Sequence, residues 1–191
     1  MDKKRVVTFF DNLASEWDRN QVRDEEIIDF ILDKADITKD KKVLDVACGT
    51  GVLFPDYLHR GATVTGVDIS SEMLQIAKNK YPDIMLICAD AEEYVFEKDY
   101  DAVMIYNAFP HFLNPEKLIA NLAKALKVGG RFTVAHGISE KDLEKCHSTV
   151  AKDVSLPLPS KEKLRDMMSE IFDVDVMISD EEKYIVSGLK K

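Results

Sequence analysis

A glycine turn directly after an apolar run is the most informative feature of the chain. The run Val43–Ala47 contains one acid, Asp45, and leads through a turn with Gly49 and Gly51 into a helical pattern. Glycine has no Cβ, so the backbone at these two positions can approach a ligand closely. Ligands of open α/β sheets lie beyond the carboxyl ends of the strands, where this turn is expected. The pattern therefore predicts a binding loop.

Two further acids end the apolar runs that follow. Asp68 lies seventeen residues after Gly51, at the end of Val64–Val67, and can accept hydrogen bonds from both hydroxyls of a ribose. Such a ribose belongs to NAD and to S-adenosylmethionine alike. Asp90 follows the third run and can accept a hydrogen bond from an adenine amino group. Together with Asp45, these acids suit a ligand with a positive charge, such as a sulfonium, and repel a pyrophosphate.

Three of the four histidines fall near predicted strand ends on the same side of the sheet. His111 follows the fourth apolar run, His136 follows the fifth, and His147 lies one helix further on. A neutral imidazole can act as a base toward an O–H, N–H or C–H acid, and Tyr106 is a further candidate. Three imidazoles could instead hold a divalent metal with a position left for substrate. Their spacing matches no local metal motif, so we favour His111 and His136 as catalytic residues and predict no metal.

The elements that must position these residues alternate regularly from residue 41 onward. Five apolar runs of strand length are separated by amphipathic helical patterns at about 51–60, 71–80 and 115–127. This β–α alternation predicts a parallel sheet with right-handed crossovers. At the C-terminus, Phe172–Ile178 and Tyr184–Leu189 lie about five residues apart, so they predict an antiparallel hairpin. The first 40 residues predict two helices.

Composition and charge remove several classes of function. The 191 residues carry a net charge of −9, which disfavours sequence-independent binding to nucleic acid. No apolar run approaches the ~20 residues that span a bilayer, and three scattered cysteines favour neither a disulfide framework nor a paired zinc site. A single domain over residues 1–191, cytoplasmic and without nucleic-acid or membrane partners, is expected. Either a monomer or a homodimer is compatible with the sequence.

Five segments in order resemble the class I S-adenosylmethionine-dependent methyltransferases, in particular the small-molecule branch. The segments span Val43–Gly51, Val64–Ser70, Ala89–Glu92, Tyr100–His111 and Leu126–Thr133. The resemblance implies a Rossmann-like α/β fold with a seven-stranded, mostly parallel sheet and an antiparallel C-terminal strand. It also implies that residues 1–40 form a helical lid over a core of residues 41–191. The opening segment Phe9–Asp18 resembles the lid helix of that branch.

The same resemblance implies roles for individual residues in binding S-adenosylmethionine. The glycine loop would hold the amino-acid part of the cofactor, Asp68 its ribose, and residues after the second and third strands its adenine. The cofactor-binding candidates are Asp45, Ala47, Gly49, Gly51, Asp68, Ile69, Met73, Asp90, Ala91 and Tyr106. The family loop often has glycine where this chain has Ala47, a change that we expect to be tolerated.

The implied function is methyl transfer from S-adenosylmethionine to a small-molecule acceptor, whose O, N, S or C nucleophile is not indicated. One alternative is a nicotinamide-dependent oxidoreductase, which Phe54 disfavours because a dinucleotide fold needs a third glycine there. The other is a protein that binds the cofactor without turnover, since a fold does not fix a function.

Overall fold

The structure is a computed structural model that describes residues 2–20, 22–97, 99–149 and 151–191, except for the side chains of residues 20 and 146–149. The helices are α1 (Lys3–Asn20), α2 (Glu25–Lys34), α3 (Phe54–His59), α4 (Ser71–Lys80), α5 (Pro115–Ala125), α6 (Glu140–Thr149) and α7 (Lys161–Met168). The strands are β1 (Lys42–Val46), β2 (Thr63–Asp68), β3 (Met85–Cys88), β4 (Tyr100–Tyr106), β5 (Leu126–His136), β6 (Phe172–Ser179) and β7 (Tyr184–Lys190). Single 3-10 turns span Phe109–His111 and Lys152–Val154.

The seven strands form one sheet in the order β3-β2-β1-β4-β5-β7-β6. Every pair from β3 to β5 is parallel, whereas β7 runs antiparallel to both β5 and β6. The predicted Rossmann-like sheet and its antiparallel C-terminal strand are confirmed. Because β1 lies between β2 and β4, the chain reverses its direction of winding there, and the carboxyl edge at that point forms a crevice suited to ligands.

Two boundaries differ from those predicted. The helix expected at about 51–60 begins only at Phe54, because the glycine turn uses the residues before it. The fifth strand begins at Leu126 instead of residue 130, and α5 ends at Ala125. A register shift opposite the start of β4 and a positive φ of 75° at Gly129 accommodate this early start. The Gly129–Gly130 pair thus marks an irregularity within β5 and not the beginning of that strand.

The sheet is covered on both faces, as its nearly continuous apolar strands require. Neighbouring residues of β1 point to opposite sides. Leu44 joins a core with Leu118 of α5 and Leu164 of α7. Val43 joins a second core with Ile31 of α2, and with α3 and α4. These two layers hold the carboxyl ends of the parallel strands in fixed relative positions.

Helix α1 lies outside these two layers, over the carboxyl edge. Its Val6 forms a small third cluster with Ala151 and Val154, against which Phe9 and Phe10 pack. The aromatic residues of α1 therefore form the apolar stripe that the sequence predicts. Among the described residues, no helix is both long and apolar enough to span a lipid bilayer.

Candidate active site

A cleft of about 1020 Å³, including its open mouth, lies at the carboxyl edge beneath α1. Ten of the twelve predicted site residues line this cleft, all except Gly51 and His136. They are Asp45, Ala47, Gly49, Asp68, Ile69, Met73, Asp90, Ala91, Tyr106 and His111. The structure thus brings together residues that end four different strands.

The glycine turn has a left-handed backbone at three positions. The φ angles are 56° at Ala47, 54° at Gly49 and 80° at Gly51. A left-handed conformation disfavours residues with a Cβ, which gives a physical reason why glycine is common at the position of Ala47. Gly51 does not line the cleft itself. A Cβ there would lie 2.6 Å from Cδ2 of Phe54, so this glycine lets the turn close onto α3.

Asp68 organises the loop as well as facing the cleft. One carboxylate oxygen accepts a hydrogen bond from the backbone N–H of Gly49 at 2.8 Å, and the other accepts from Ser70 at 2.8 Å. Burial raises the pKa of Asp68, and the backbone hydrogen bonds from Ser70 and Gly49 oppose that rise. Each oxygen retains a further lone pair. Ser70 caps the N-terminus of α4, because its hydroxyl accepts a hydrogen bond from the backbone N–H of Met73 at 3.2 Å.

Asp45 is buried beneath the loop. Desolvation raises its pKa well above the ordinary range, and the nearby charge of Asp68 adds to the rise. Burial and the charge of Asp45 likewise raise the pKa of the Cys48 thiol well above its usual value, which makes that thiol unreactive. A positive charge bound in the cleft would relieve the crowding of the two carboxylates.

His111 lies at the other end of the cleft, in the turn after β4. Its Nδ1 lies 2.9 Å from the carbonyl oxygen of Val154 and 3.3 Å from the hydroxyl of Ser155. A carbonyl only accepts, so Nδ1 is the donor of this contact, and in a neutral ring with that tautomer Nε2 is the accepting nitrogen. The ring of Phe10 packs edge-on against the imidazole at 4.9 Å between centroids, and Trp17 packs against Phe10 at 5.7 Å.

The structure does not bring His136 to the cleft. His136 is fully buried in β5, where its ring lies 6.0 Å from that of Tyr184, and it is not among the lining residues. The side chain of His147 lies outside the described residues. Among the described side chains, no group of three or more His, Cys, Asp or Glu is arranged to hold a metal ion.

Comparison with known proteins identifies the family. Residues 43–130 match the family described as "Methyltransferase domain". The chain is 32% identical over 138 residues to a demethylmenaquinone methyltransferase from Paenarthrobacter aurescens, covering 68% of this chain and 54% of the relative. It is 31% identical over 144 residues to a ubiquinone biosynthesis O-methyltransferase from Coxiella burnetii, covering 69% and 60%. Residues 43–130 therefore carry a methyltransferase domain, and these matches support the class I S-adenosylmethionine-dependent methyltransferases as its family. The chain spans little more than half the length of these curated relatives.

Solved structures show the same fold. A putative methyltransferase from Haloferax volcanii, in complex with a methyltransferase activator, has a TM-score of 0.81 at 18% identity over 97% of both chains. The magnesium protoporphyrin IX methyltransferase of Synechocystis, solved with S-adenosylhomocysteine (SAH), has a TM-score of 0.74 at 17% identity over 100% of both chains.

Several residues of the site were not predicted from the sequence. Lys3 lines the cleft but belongs to none of the segments that carry the family resemblance. Glu92 and Asn107, the latter with a positive φ of 54°, lie within those segments but were not predicted as site residues. Val154 contacts His111 through its backbone carbonyl, which no side-chain pattern could reveal. A signal for Glu92 did exist, because it stands two residues after Asp90 in the third strand-end segment.

Proposed function

We propose that this protein transfers a methyl group from S-adenosylmethionine to a small, apolar acceptor, with His111 as the base. The observation that supports this most directly is that one cleft contains both the cofactor-motif residues and His111. The cofactor supplies an electrophilic methyl group when it is bound. The protein has to hold the acceptor in line with that group and exclude water.

The motif side of the cleft suits the cofactor chemically. Asp68 has lone pairs left for two ribose hydroxyls after it accepts from Gly49 and Ser70. Asp90 faces the same cleft, with Ala91, Ile69 and Met73 around it as an apolar pocket for the adenine. Asp45 and Ala47 would lie against the amino-acid part.

The acceptor side is apolar and aromatic. Val6, Phe10 and Trp17 of α1 line the cleft together with His111 and Phe112, and the ring of Phe10 packs directly on the imidazole of His111. Such a lining favours an uncharged acceptor with a ring or another compact apolar body. The relatives named above act, by their names, on quinone precursors, which agrees with this lining. An acceptor hydroxyl would give its proton to Nε2 of His111, while the Val154 carbonyl stabilises the imidazolium through Nδ1.

Helix α1 is proposed as a lid. It is attached to the binding loops by polar contacts at three points along its length. Thr50 donates to Asp18 at 2.5 Å, Ser70 donates to Asp11 at 2.6 Å, and Lys3 pairs with Asp90. A lid of this kind excludes water during transfer and opens for product release. A cytoplasmic location, and action as a monomer or a homodimer, remain predictions from the sequence.

Binding and turnover test the proposal together. Calorimetry should detect binding of SAH and no binding of NAD. Incubation with S-adenosylmethionine and a panel of quinols, phenols, thiols and amines should yield SAH with at least one of them. Binding of NAD in place of SAH would overturn the proposal in favour of an oxidoreductase. Tight binding of SAH with no turnover across the panel would favour the non-catalytic cofactor-binding protein.

A further inference from the structure

A lysine of α1 reaches into an acidic corner of the cleft. The ammonium group of Lys3 contacts Asp90, lies 3.0 Å from Oε2 of Glu92 and 3.7 Å from Oε1 of Glu93. The Glu92 side chain is only 1% exposed, whereas that of Lys3 is 32% exposed. The three carboxylates come from the turn after β3. Lys3, which lies 87 residues before Asp90 in the chain, is the cation that contacts both Asp90 and Glu92, whereas Lys117 of α5 pairs with Glu93. The contact therefore joins α1 to the turn that carries Asp90.

Glu92 connects this corner to the opposite wall of the cleft. Its Oε1 accepts from the backbone N–H groups of Leu113 and Asn114 at 2.7 and 3.1 Å. Its Oε2 accepts from the side-chain amide of Asn114 at 3.0 Å and faces Lys3. Burial alone would raise the pKa of Glu92, but hydrogen bonds from Asn114 and Lys3 outweigh it and lower the pKa. Glu92 thus stays charged while holding the segment that follows His111.

We propose that Lys3 and Glu92 are a positioning pair that couples closure of α1 over the adenine end of the cofactor to the placement of the His111 segment. Neither residue touches the reacting atoms in this proposal. Lys3 acts through Asp90 and Glu92, and Glu92 acts through the backbone at Leu113. The inference rests on the proposed function, because it assigns the adenine end of the cofactor to Asp90.

The charges explain why the pair would respond to the cofactor. Without Lys3, Asp90 and Glu92 would leave two carboxylates close together with no cation between them, which disfavours the closed corner. Asp90 also accepts the N–H of Glu92 at 3.0 Å through Oδ1, so its Oδ2 is the oxygen that Lys3 contacts. That oxygen has a second lone pair for an adenine amino group. Lys3 and the adenine can therefore share Asp90 in the closed state.

Affinity for SAH in matched variants tests the coupling. Lys3→Met should weaken SAH binding by roughly three- to tenfold, the scale of one charge-assisted contact at a partly exposed site. Lys4→Met is the control, because Lys4 is exposed on the same turn and removes the same charge. Lys3→Arg should restore most of the loss. Equal affinities of Lys3→Met and Lys4→Met would overturn the proposal.

A double-mutant cycle separates positioning from general stability. Glu92→Gln keeps an oxygen for the Leu113 and Asn114 backbone but removes the charge that faces Lys3. Lys3→Met should then add little to the loss already caused by Glu92→Gln. In the wild type, SAH should slow hydrogen exchange at residues 109–114, and this slowing should be reduced in Lys3→Met. Additive losses, or unchanged slowing at 109–114, would overturn the proposal.

Failure of the proposed function and failure of the positioning pair give different experimental results. If wild-type protein binds no SAH, the proposed function fails before any variant is compared. If the wild type binds SAH and transfers methyl groups but the cycle shows no coupling, only the positioning pair is wrong. A rise in KM for S-adenosylmethionine in Lys3→Met that Lys3→Arg reverses and that Lys4→Met does not show would support the pair.

Discussion

The two ends of the cleft are built in different ways. The cofactor end, which is the side of the cleft with the motif residues Asp45, Asp68 and Asp90, is formed by turns that follow parallel strands. Asp68 connects two of these turns by accepting hydrogen bonds from the backbone N–H groups of Gly49 and Ser70. The acceptor end is assembled from α1, the turn that contains His111, and the segment near Val154. His111 and its Val154 partner are 43 residues apart in the chain. One end is therefore fixed by the sheet, and the other depends on packing between separate segments.

This contrast separates what the fold must keep constant from what it can vary. The sheet core beneath the cofactor end is large and continuous on both faces. Among the described side chains, the cluster that joins α1 to the acceptor end has three buried members, Val6, Ala151 and Val154. Few buried apolar contacts mean a low free energy of local opening. A low local stability suits a segment that must admit and release acceptors.

The largest expected effect lies at the acceptor end. In His111→Asn the amide can still donate to the Val154 carbonyl, whereas the base at Nε2 is lost. With a hydroxyl acceptor, kcat should fall by roughly 10²- to 10⁴-fold, the usual contribution of a general base. SAH affinity should stay within about threefold of wild type if the two ends are independent. Turnover assays measure kcat, and calorimetry on the same preparation measures SAH affinity. His59→Asn is the control, because His59 is an exposed residue at the end of α3. A kcat near wild type would show that alignment alone suffices, as for a thiolate acceptor.

The next effect is expected at the glycine turn. Gly51→Val combines a left-handed φ of 80° with a Cβ 2.6 Å from Phe54, so the turn has to move. A loss of about 2–4 kcal/mol in unfolding free energy is expected from strain and overpacking together, with loss of SAH binding. Gly129→Val is the matched control, because Gly129 has a φ of 75° but no atom within 4 Å of a Cβ. Chemical denaturation should show a smaller loss in the control. Equal losses would mean that backbone strain alone explains the effect.

The same contrast explains what could be predicted from the sequence. Asp45, Asp68 and Asp90 end consecutive strands, and the topology of a parallel sheet places such ends at one edge. The mostly parallel sheet, its antiparallel C-terminal strand and the cofactor-end candidates followed from that rule and from the family resemblance. His136 is also near a strand end, but its side chain lies within the core beside Tyr184 instead of at the cleft, because strand side chains alternate between faces. Lys3 reaches the cleft, and Val154 reaches His111, only through tertiary packing, which leaves no local pattern to detect.

Asp68 is expected to support the cofactor end both by contacts with the ligand and by internal hydrogen bonds. Asp68→Ala would remove the two proposed contacts with ribose hydroxyls together with the acceptors for the N–H groups of Gly49 and Ser70. SAH affinity should fall at least about tenfold, because each bond to a charged group is worth ~1.5–3 kcal/mol. Asp83→Ala, an acid on the turn before β3 that does not line the cleft, is the control. Unchanged calorimetric affinity in Asp68→Ala would remove Asp68 from the ribose role.

Helix α1 should respond to the cofactor more weakly but over a longer stretch. Hydrogen exchange over residues 5–19 should slow severalfold when SAH is added, since the helix gains a filled surface to pack against. In Asp11→Ala, which loses the 2.6 Å contact with Ser70, the free protein should exchange faster over the same residues. Equal exchange with and without SAH would show that α1 is fixed packing, and the two ends would then be equally rigid.

The smallest expected effect concerns the buried acid beneath the cofactor end. Desolvation and the charge of Asp68 raise the pKa of Asp45 well above its unfolded value. An acid whose pKa is higher in the folded state binds its proton more tightly there, so its contribution to stability increases as the pH falls through that raised pKa and is lost as the pH rises through it. At pH 7, Asp45→Asn should therefore raise the Tm of the cofactor-free protein, by about 2–4 °C for each kcal/mol of relief in a chain of this length. The difference in Tm between variant and wild type should shrink as the pH is lowered from 7 toward the ordinary pKa of an aspartate in the unfolded chain, where both states of the wild type bind the proton. A bound sulfonium favours the ionised form of the Asp45 carboxyl, so S-adenosylmethionine should bind the wild type with release of a proton. Calorimetry in buffers of different ionisation enthalpy measures this proton release. A Tm difference that does not change with pH would mean that burial of the Asp45 carboxyl does not destabilise the cofactor-free protein, and the raised pKa would then not explain any effect of the variant.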